Sequence, residues 1–456
     1  MSASAVDSAI FRDIFGSAAM RRIFADESRV QYYLDIEVAL ARVQARLGII
    51  PAEAAAEIAR HGAAAQYDMA QLKAQTERIG YPVLPVVQQL VARCGQGLGE
   101  WCHWGATTQD ITDTATVLQM RDGLVLIEAE LRALAAALAA LARRWRDTPM
   151  AGRSNLQQAT PLTFGFKCAV LLAGIQRHLE RLGQLRPRVL VGEFGGATGT
   201  LASLGADGLA VQAALMAELG LGQPEIAWHT MRDRIAEVGC FLGLVTGTLG
   251  KIATDVKLMM QTEVAEVYEP FAEGRGSSST MPQKRNPIAS AYIHACAAMV
   301  RQHAAALLDA MVADHERSTG PWEIEWIALP ETFVLSAGAL AQARTLLEGL
   351  EVDPVRMRAN LDLTQGLVAS EAVMMGLGPA LGRQRAHDLV YAICREVVAG
   401  TGSFLDLLAA HPEIRPHLDR AALAALLHPA NYCGLAGVMV DRVLAGEPPA
   451  GGQPAA

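Results

Sequence analysis

Residues 274–287 read GRGSSSTMPQKRNP. On either side, apolar residues recur every three or four positions, the period of a helix with one buried face. Inside the stretch that period stops. Two glycines and three serines lead into Lys284, Arg285, Asn286 and Pro287. A loop of this make-up has two physical readings. In one, backbone N–H groups, a lysine and the N-terminus of a following helix stabilise a serine alkoxide or a substrate carboxylate. In the other, it is a solvated surface loop closed by two ordinary cations.

Outward from the loop, helical spacing dominates and alternating, strand-like runs are scarce. Pro287 stands where a helix over about 287–313 begins, a position at which its missing N–H costs nothing. Two long proline-free stretches rich in Ala, Leu and Val, about 113–146 and 235–268, read as spines of a bundle whose axes approach closely. Ser28 is placed to cap a helix through about Leu47, stopped by Gly48 and Pro51. EFGGATGT, residues 193–200, is glycine-rich without lying between a strand and a helix, so it reads as a helix–helix connection. These readings give an all-α chain in three helical domains. They are an N-terminal domain over 1–112, a central long-helix bundle over 113–355, and a small C-terminal domain over 356–456 with a disordered tail from Glu447. Long helices that are apolar on several faces call for a partner copy.

Composition narrows the function. The chain has 456 residues, 51% hydrophobic and 19% charged, with net charge −8 and no polybasic run. Nucleic acid and anionic membranes are therefore poor partners. The most apolar helical run, Leu124–Leu141, carries Glu128, Glu130 and Arg132, which suits a buried bundle helix and no membrane span. Seven scattered cysteines without ligand spacing imply reduced thiols, no metal and a cytoplasmic location. The N-terminus shows no export signal. No phosphate-cradling fingerprint is present, so no cofactor is expected.

The loop resembles the GSSxMPxKxNP loop of the fumarase/aspartase superfamily. HWGATTQD (103–110) resembles that superfamily's HxGxTSxD segment, and GRSNLQQATP (152–161) its GRTHLQxAxP segment. WHTMRDR (228–234), DHERSTGPWEIEW (314–326) and NLDLTQGLVASEAV (360–373) are similar to the 3-carboxy-cis,cis-muconate cycloisomerases within it. Adenylosuccinate lyases share the general layout. The resemblance implies a homotetramer with active sites shared between subunits, and a chemistry of proton transfer next to a carboxylate. Ser278 is then the general base, with Lys284 and Asn286 on the carboxylate whose charge develops. Thr107, Thr108 and Gln157 are implied carboxylate donors, and His103 a substrate ligand or proton carrier. Arg232, Arg317 and Ser318 are candidates for further carboxylates of a polyanion. Arg153, Asn155, Ser279 and Met281 complete the implied substrate contacts.

One departure bears on the reaction. The superfamily's histidine in GRTHLQ is Asn155 here. An amine leaves badly without a proton, whereas a carboxylate is already a stable anion. This suits the activity that the resemblance implies, interconversion of 3-carboxy-cis,cis-muconate and 4-carboxymuconolactone in aromatic-acid catabolism, and would also suit elimination of another stabilised anion. Its rivals are release of fumarate or a related acid from a substituted succinate, and a silent scaffold on the same fold. Gln283 stands where many cycloisomerases have histidine. The candidate site is cationic within an acidic protein, as capture of a small polycarboxylate requires.

Overall fold

The computed structural model describes residues 4–270 and 272–446; the tail expected to be disordered from Glu447 lies outside the described residues. Seventeen α-helices and four short strands are present among them. The fold is all-α, as the spacing of apolar residues implies. The reason is plain in the Thr108–Arg144 helix, 37 residues long. Leu124, Ile127, Leu131, Leu134, Leu138 and Leu141 fall three and four apart and are all buried, the spacing of an apolar stripe on one helix face.

The chain forms two compact units, Met1–Leu131 with His178–Gly250 and Tyr292–Gln342, and Arg132–Arg177 with Lys251–Ala291 and Ala343–Ala456. In the first unit, helices pack closely where side chains are small. A Cβ on Gly123 would lie 2.8 Å from the Phe333 ring, a clash that any larger residue would introduce. In the second unit, a separate core gathers Val373, Leu377, Ile393, Phe404, Leu408 and Leu423. Two helices, Asp233–Met259 and Pro321–Glu348, are long and apolar enough to cross a membrane, yet 56% and 67% of their most apolar windows are buried within the protein.

Three sequence readings need correction. The helix expected to start at Ser28 starts at Asp26 with Ala25 as its N-cap and no side-chain cap; Asp26 and Glu27 complement the helix dipole instead. The helix expected to reach Tyr268 stops at Met259, because residues 260–266 turn back before a short pair of strands. The third is a β-hairpin within the 152–161 segment, described below. The Glu193–Thr200 stretch is indeed a connection, lying between the Phe164–Val189 and Gly208–Leu219 helices.

Candidate active site

Two groups of candidate residues emerge, one in each unit. In the second unit, strand β1 (Pro149–Ser154) pairs antiparallel with β2 (Gln157–Thr163). Asn155 and Leu156 join them, with φ of 51° and 64°. Two consecutive left-handed residues are the turn that matches strand twist, and asparagine tolerates that conformation better than most residues. Asn155 thus has a backbone reason to be asparagine, at an exposed hairpin tip. Gln157 is exposed at the start of β2. Arg153 departs from its expected role. Its guanidinium grips the buried Glu266 carboxylate at 2.9 and 2.7 Å, and Asn360 donates to the same carboxylate at 2.9 Å. This pairing cancels the charge that was to meet substrate.

Strands β3 (Val267–Tyr268) and β4 (Glu351–Val352) pair and support the serine-rich loop. Ser278 Oγ accepts hydrogen bonds from the backbone N–H groups of Thr280 and Met281, at 3.2 and 3.0 Å. Donors aimed at a hydroxyl oxygen favour its anionic form. The Asn286 backbone N–H and Nδ2 both donate to the Gly276 carbonyl, at 3.1 and 2.9 Å, which closes the loop across its base. Asn286 thereby pins the loop, with part of its amide already engaged.

The loop's two cations differ. Arg285 is anchored: it donates to the Glu269 carbonyl at 2.8 Å and to Glu351 at 2.9 and 3.2 Å, and lies over the Tyr268 ring. Glu269 in turn caps the Ile288–Asp309 helix through the N–H groups of Ala289 and Ser290. Lys284 is exposed beside it, as are Ser279 and Met281. The anchor and the exposed ammonium are adjacent residues, so the loop presents a positive charge from a fixed base. Gly276 has φ of +67°, and a Cβ there would lie 2.7 Å from the Asn286 carbonyl oxygen. Gly276→Ala is expected to distort the loop and lower kcat/KM about tenfold, the cost of roughly 1–2 kcal/mol for a side chain in the left-handed region. Steady-state kinetics beside a thermal melt would separate this from global unfolding, since the melt should barely move.

In the first unit, the HWGATTQD segment ends at the N-terminus of the Thr108–Arg144 helix. The Thr107 N–H donates to Asp110 Oδ2 at 3.0 Å, so the Asp110 side chain reaches back to satisfy a backbone donor at the helix start. Asp110 also accepts from the Gly195 and Gly196 N–H groups, both at 2.9 Å, and from His229 Nε2 at 2.7 Å. That carboxylate fastens the glycine-rich 193–200 connection to the start of the Thr108–Arg144 helix, which Thr107 immediately precedes.

His229 is a buried core histidine. Burial pulls its pKa down, but the hydrogen bond to Asp110 and the charge of Glu193 raise it overall. Burial pushes the Glu193 carboxyl up to about 7 against the pull of His229. Ligand atoms of Asp110, Glu193 and His229 lie within 4.8 Å of one another, a spacing a cation would accept. His229 and Asp110 are hydrogen-bonded to each other and Trp228 N–H donates to Glu193 Oε2, while Glu193 Oε1 has no hydrogen-bond partner among the described residues.

Arg232 is the clearest correction. Its five N–H groups are engaged by Asp113 (2.7 and 3.0 Å), Glu325 (2.9 and 2.6 Å) and the His229 carbonyl (3.4 Å). No donor remains for a substrate. Trp322 Nε1 also donates to Asp113 at 3.0 Å, and Trp228 lies under the guanidinium. The WHTMRDR and DHERSTGPWEIEW stretches thus meet as a buried ionic core. Arg317 is different, because its partners are the neutral oxygens of Gln109 and Ala197 and its charge is not cancelled by them. Beside it, Ser318 is buried, and its Oγ has no hydrogen-bond partner among the described residues.

His103 Nδ1 lies 2.6 Å from Glu37 Oε1. Sequence reading did not single out Glu37, nor Asp110, Asp113, Glu266 and Glu325. A glutamate among the apolar positions of the Asp26–Arg46 helix was the available signal for Glu37.

Comparison with known proteins places this geometry. A lyase family profile matches residues 16–301, and one described as the adenylosuccinate lyase C-terminus matches 366–443. The chain is 58% identical over 432 residues to trans-aconitate decarboxylase 1 of Mycosarcoma maydis, covering 95% of this chain and 88% of that protein. It is 48% identical over 439 residues to 3-carboxy-cis,cis-muconate cycloisomerase of Pseudomonas aeruginosa, covering 96% of each. The crystal structure of a fumarate lyase from Mesorhizobium sp. BNC1 superposes with TM-score 0.89 at 51% identity, over 95% of this chain and 99% of that one. The chain belongs to the lyase family of the fumarase/aspartase superfamily.

Proposed function

We propose that this enzyme transfers a proton at the carbon next to a carboxylate of an unsaturated tricarboxylate, interconverting 3-carboxy-cis,cis-muconate and 4-carboxymuconolactone. The observation that carries the reading is Ser278 Oγ held by two backbone N–H groups in the same loop that carries the exposed Lys284. In the lactone-opening direction, Ser278 as alkoxide takes the proton alpha to a carboxylate. Negative charge then spreads onto that carboxylate, where Lys284 and the free part of the Asn286 amide hold it. The ring C–O bond breaks and its electrons leave as a carboxylate, an anion that needs no proton. Asn155 at the hairpin tip offers none, which agrees with such a leaving group. Thr107, Thr108, Gln157 and Arg317 hold the remaining carboxylates.

A second reading rests on the 58% identity to trans-aconitate decarboxylase 1. It shares the key step. A proton added to the vinylic carbon next to one carboxylate, as CO2 leaves from the allylic carbon, turns a tricarboxylate and a proton into an unsaturated dicarboxylate and CO2. Here too the departing group needs no acid. Both readings need a serine able to exchange a proton with carbon, and a cationic frame for three carboxylates.

The protein works as a cytoplasmic homotetramer in this reading, with active sites completed by neighbouring subunits. Exposed apolar residues on the long helices support it: Leu244, Met299 and Ile327 are 55%, 48% and 67% exposed, and such faces ask for cover. The test is to offer purified enzyme each substrate separately. Loss of the diene absorbance of 3-carboxy-cis,cis-muconate without gas release supports the first reading. Release of CO2 from trans-aconitate alone would replace it with the second, and fumarate from a substituted succinate would overturn both.

A further inference from the structure

The Asp26–Arg46 helix carries two polar side chains at buried positions, Glu37 and Gln44, 2% and 0% exposed. They are seven residues apart and so lie on one face, two turns from each other. Both reach the same short segment. Glu37 Oε1 meets His103 Nδ1 at 2.6 Å, and Gln44 Nε2 donates to the Trp104 carbonyl at 2.7 Å. Each retains a buried oxygen, Glu37 Oε2 and Gln44 Oε1, with no hydrogen-bond partner among the described residues. Polar groups left so costly in a core point to a task at the segment they hold.

That segment is itself strained. His103 has φ of +57°, a conformation an L-residue adopts only when its surroundings enforce it. The side chain of Glu37 is 1% exposed while that of His103 is 23% exposed, so the pair has a buried anion and an open imidazole. With Nδ1 turned to Glu37, Nε2 is the nitrogen left for a ligand. Four residues on, Thr107 begins the turn into the Thr108–Arg144 helix.

We propose that Glu37 is a positioning residue that fixes the His103 ring through Nδ1 and favours its doubly protonated form, so that His103 Nε2–H is turned to bind one carboxylate of the substrate. This rests on the reading above in that the substrate is a polycarboxylate, but it assigns a role that Asn155 cannot fill. The charged groups acting on His103 are Glu37 on the Asp26–Arg46 helix and Asp110 on the Thr108–Arg144 helix. Burial pulls the His103 pKa down, and these two carboxylates more than offset that, raising it. The other titratable neighbours of Glu37, Tyr67 and Cys102, are raised by burial and stay neutral. Without Glu37, burial, the largest of these effects, would dominate and pull the His103 pKa down.

The experiment compares wild type with Glu37→Gln, His103→Asn and the double variant. Two readouts are used: titration of the His103 ring by NMR without substrate, and calorimetric binding of propane-1,2,3-tricarboxylate, which cannot react. The His103 ring is expected to titrate above the ordinary histidine value in wild type and below it in Glu37→Gln. Tricarboxylate binding at pH 7.5 should weaken about tenfold in Glu37→Gln, and no further when Glu37→Gln is added to His103→Asn. An unmoved titration, or equal losses from Glu37→Gln with and without His103, would overturn the proposal. If Glu37→Gln does not fold, the wild-type titration decides: a ring titrating below the ordinary value overturns it. Because neither readout requires turnover, failure here is distinguishable from failure of the proposed reaction. If the muconate is not turned over while these results hold, the reaction assignment alone falls.

Discussion

Ser278→Ala is expected to lower kcat by about a thousandfold, within the range a positioned general base contributes, while the melting temperature stays within a degree or two. The loop explains both halves. Ser278 Oγ makes two hydrogen bonds, both to backbone N–H groups of its own loop, and the side chain is only partly buried. Little stability is lost with it, since surface turns of this kind contribute tenths of a kcal/mol. What is lost is the group that exchanges a proton with carbon. The Arg285 anchor on Glu269 and Glu351, and the Gly276–Asn286 closure, survive the change. Tricarboxylate binding should therefore persist. Turnover by Ser278→Ala at more than a tenth of the wild-type rate would remove the serine from the mechanism.

Arg232→Leu is expected to have the opposite signature, loss of the fold with no direct effect on chemistry. Arg232 is 2% exposed, and it neutralises Asp113 and Glu325, which are 1% and 4% exposed. Removing one partner of a buried ionic set costs about 3–5 kcal/mol, because the remaining charges stay desolvated. Here one cation serves two carboxylates, so the upper part of that range is expected. Burial already raises the Glu325 carboxyl against the pull of Arg232. In the variant the Glu325 carboxyl would be raised further, so stability would fall as pH rises from the ordinary carboxylate range through its folded-state value. Denaturant unfolding at pH 5 and pH 8 should thus show a smaller deficit at pH 5. Arg232→Lys should rescue little, since an ammonium cannot fork onto two carboxylates. A variant as stable as wild type at pH 8 would mean the ionic core is dispensable.

How much of this was legible in the sequence depends on what each residue's role requires. The long helices were, because a leucine stripe such as Leu124 to Leu141 needs only local spacing. The loop was legible as a motif, and the structure adds which of its cations is anchored. The β-hairpin was not, since Pro149–Ser154 and Gln157–Thr163 are short and do not alternate cleanly. The dipeptide Asn155–Leu156 at its tip is a weak turn signal beside Asn-Gly.

Arg232 and Arg153 were picked out as cations, but a cation's role is decided by its partner. Those partners lie 119 and 93 residues away for Arg232 and 113 for Arg153, a separation no local pattern reports. Glu37 falls between these cases. Its buried position at helical spacing from Gln44 was readable, while its pairing with His103 needed the fold.

The central claim is Ser278-dependent proton exchange next to a carboxylate of an unsaturated tricarboxylate. Its most direct test is to mix purified enzyme with 3-carboxy-cis,cis-muconate in D2O, follow the diene absorbance, and examine the product by NMR, with Ser278→Ala alongside. The account predicts rapid loss of the diene band and one deuterium on the carbon beside a carboxylate, with neither seen for Ser278→Ala. Diene loss at the same rate in both proteins, or a product carrying no deuterium at that carbon, would contradict it.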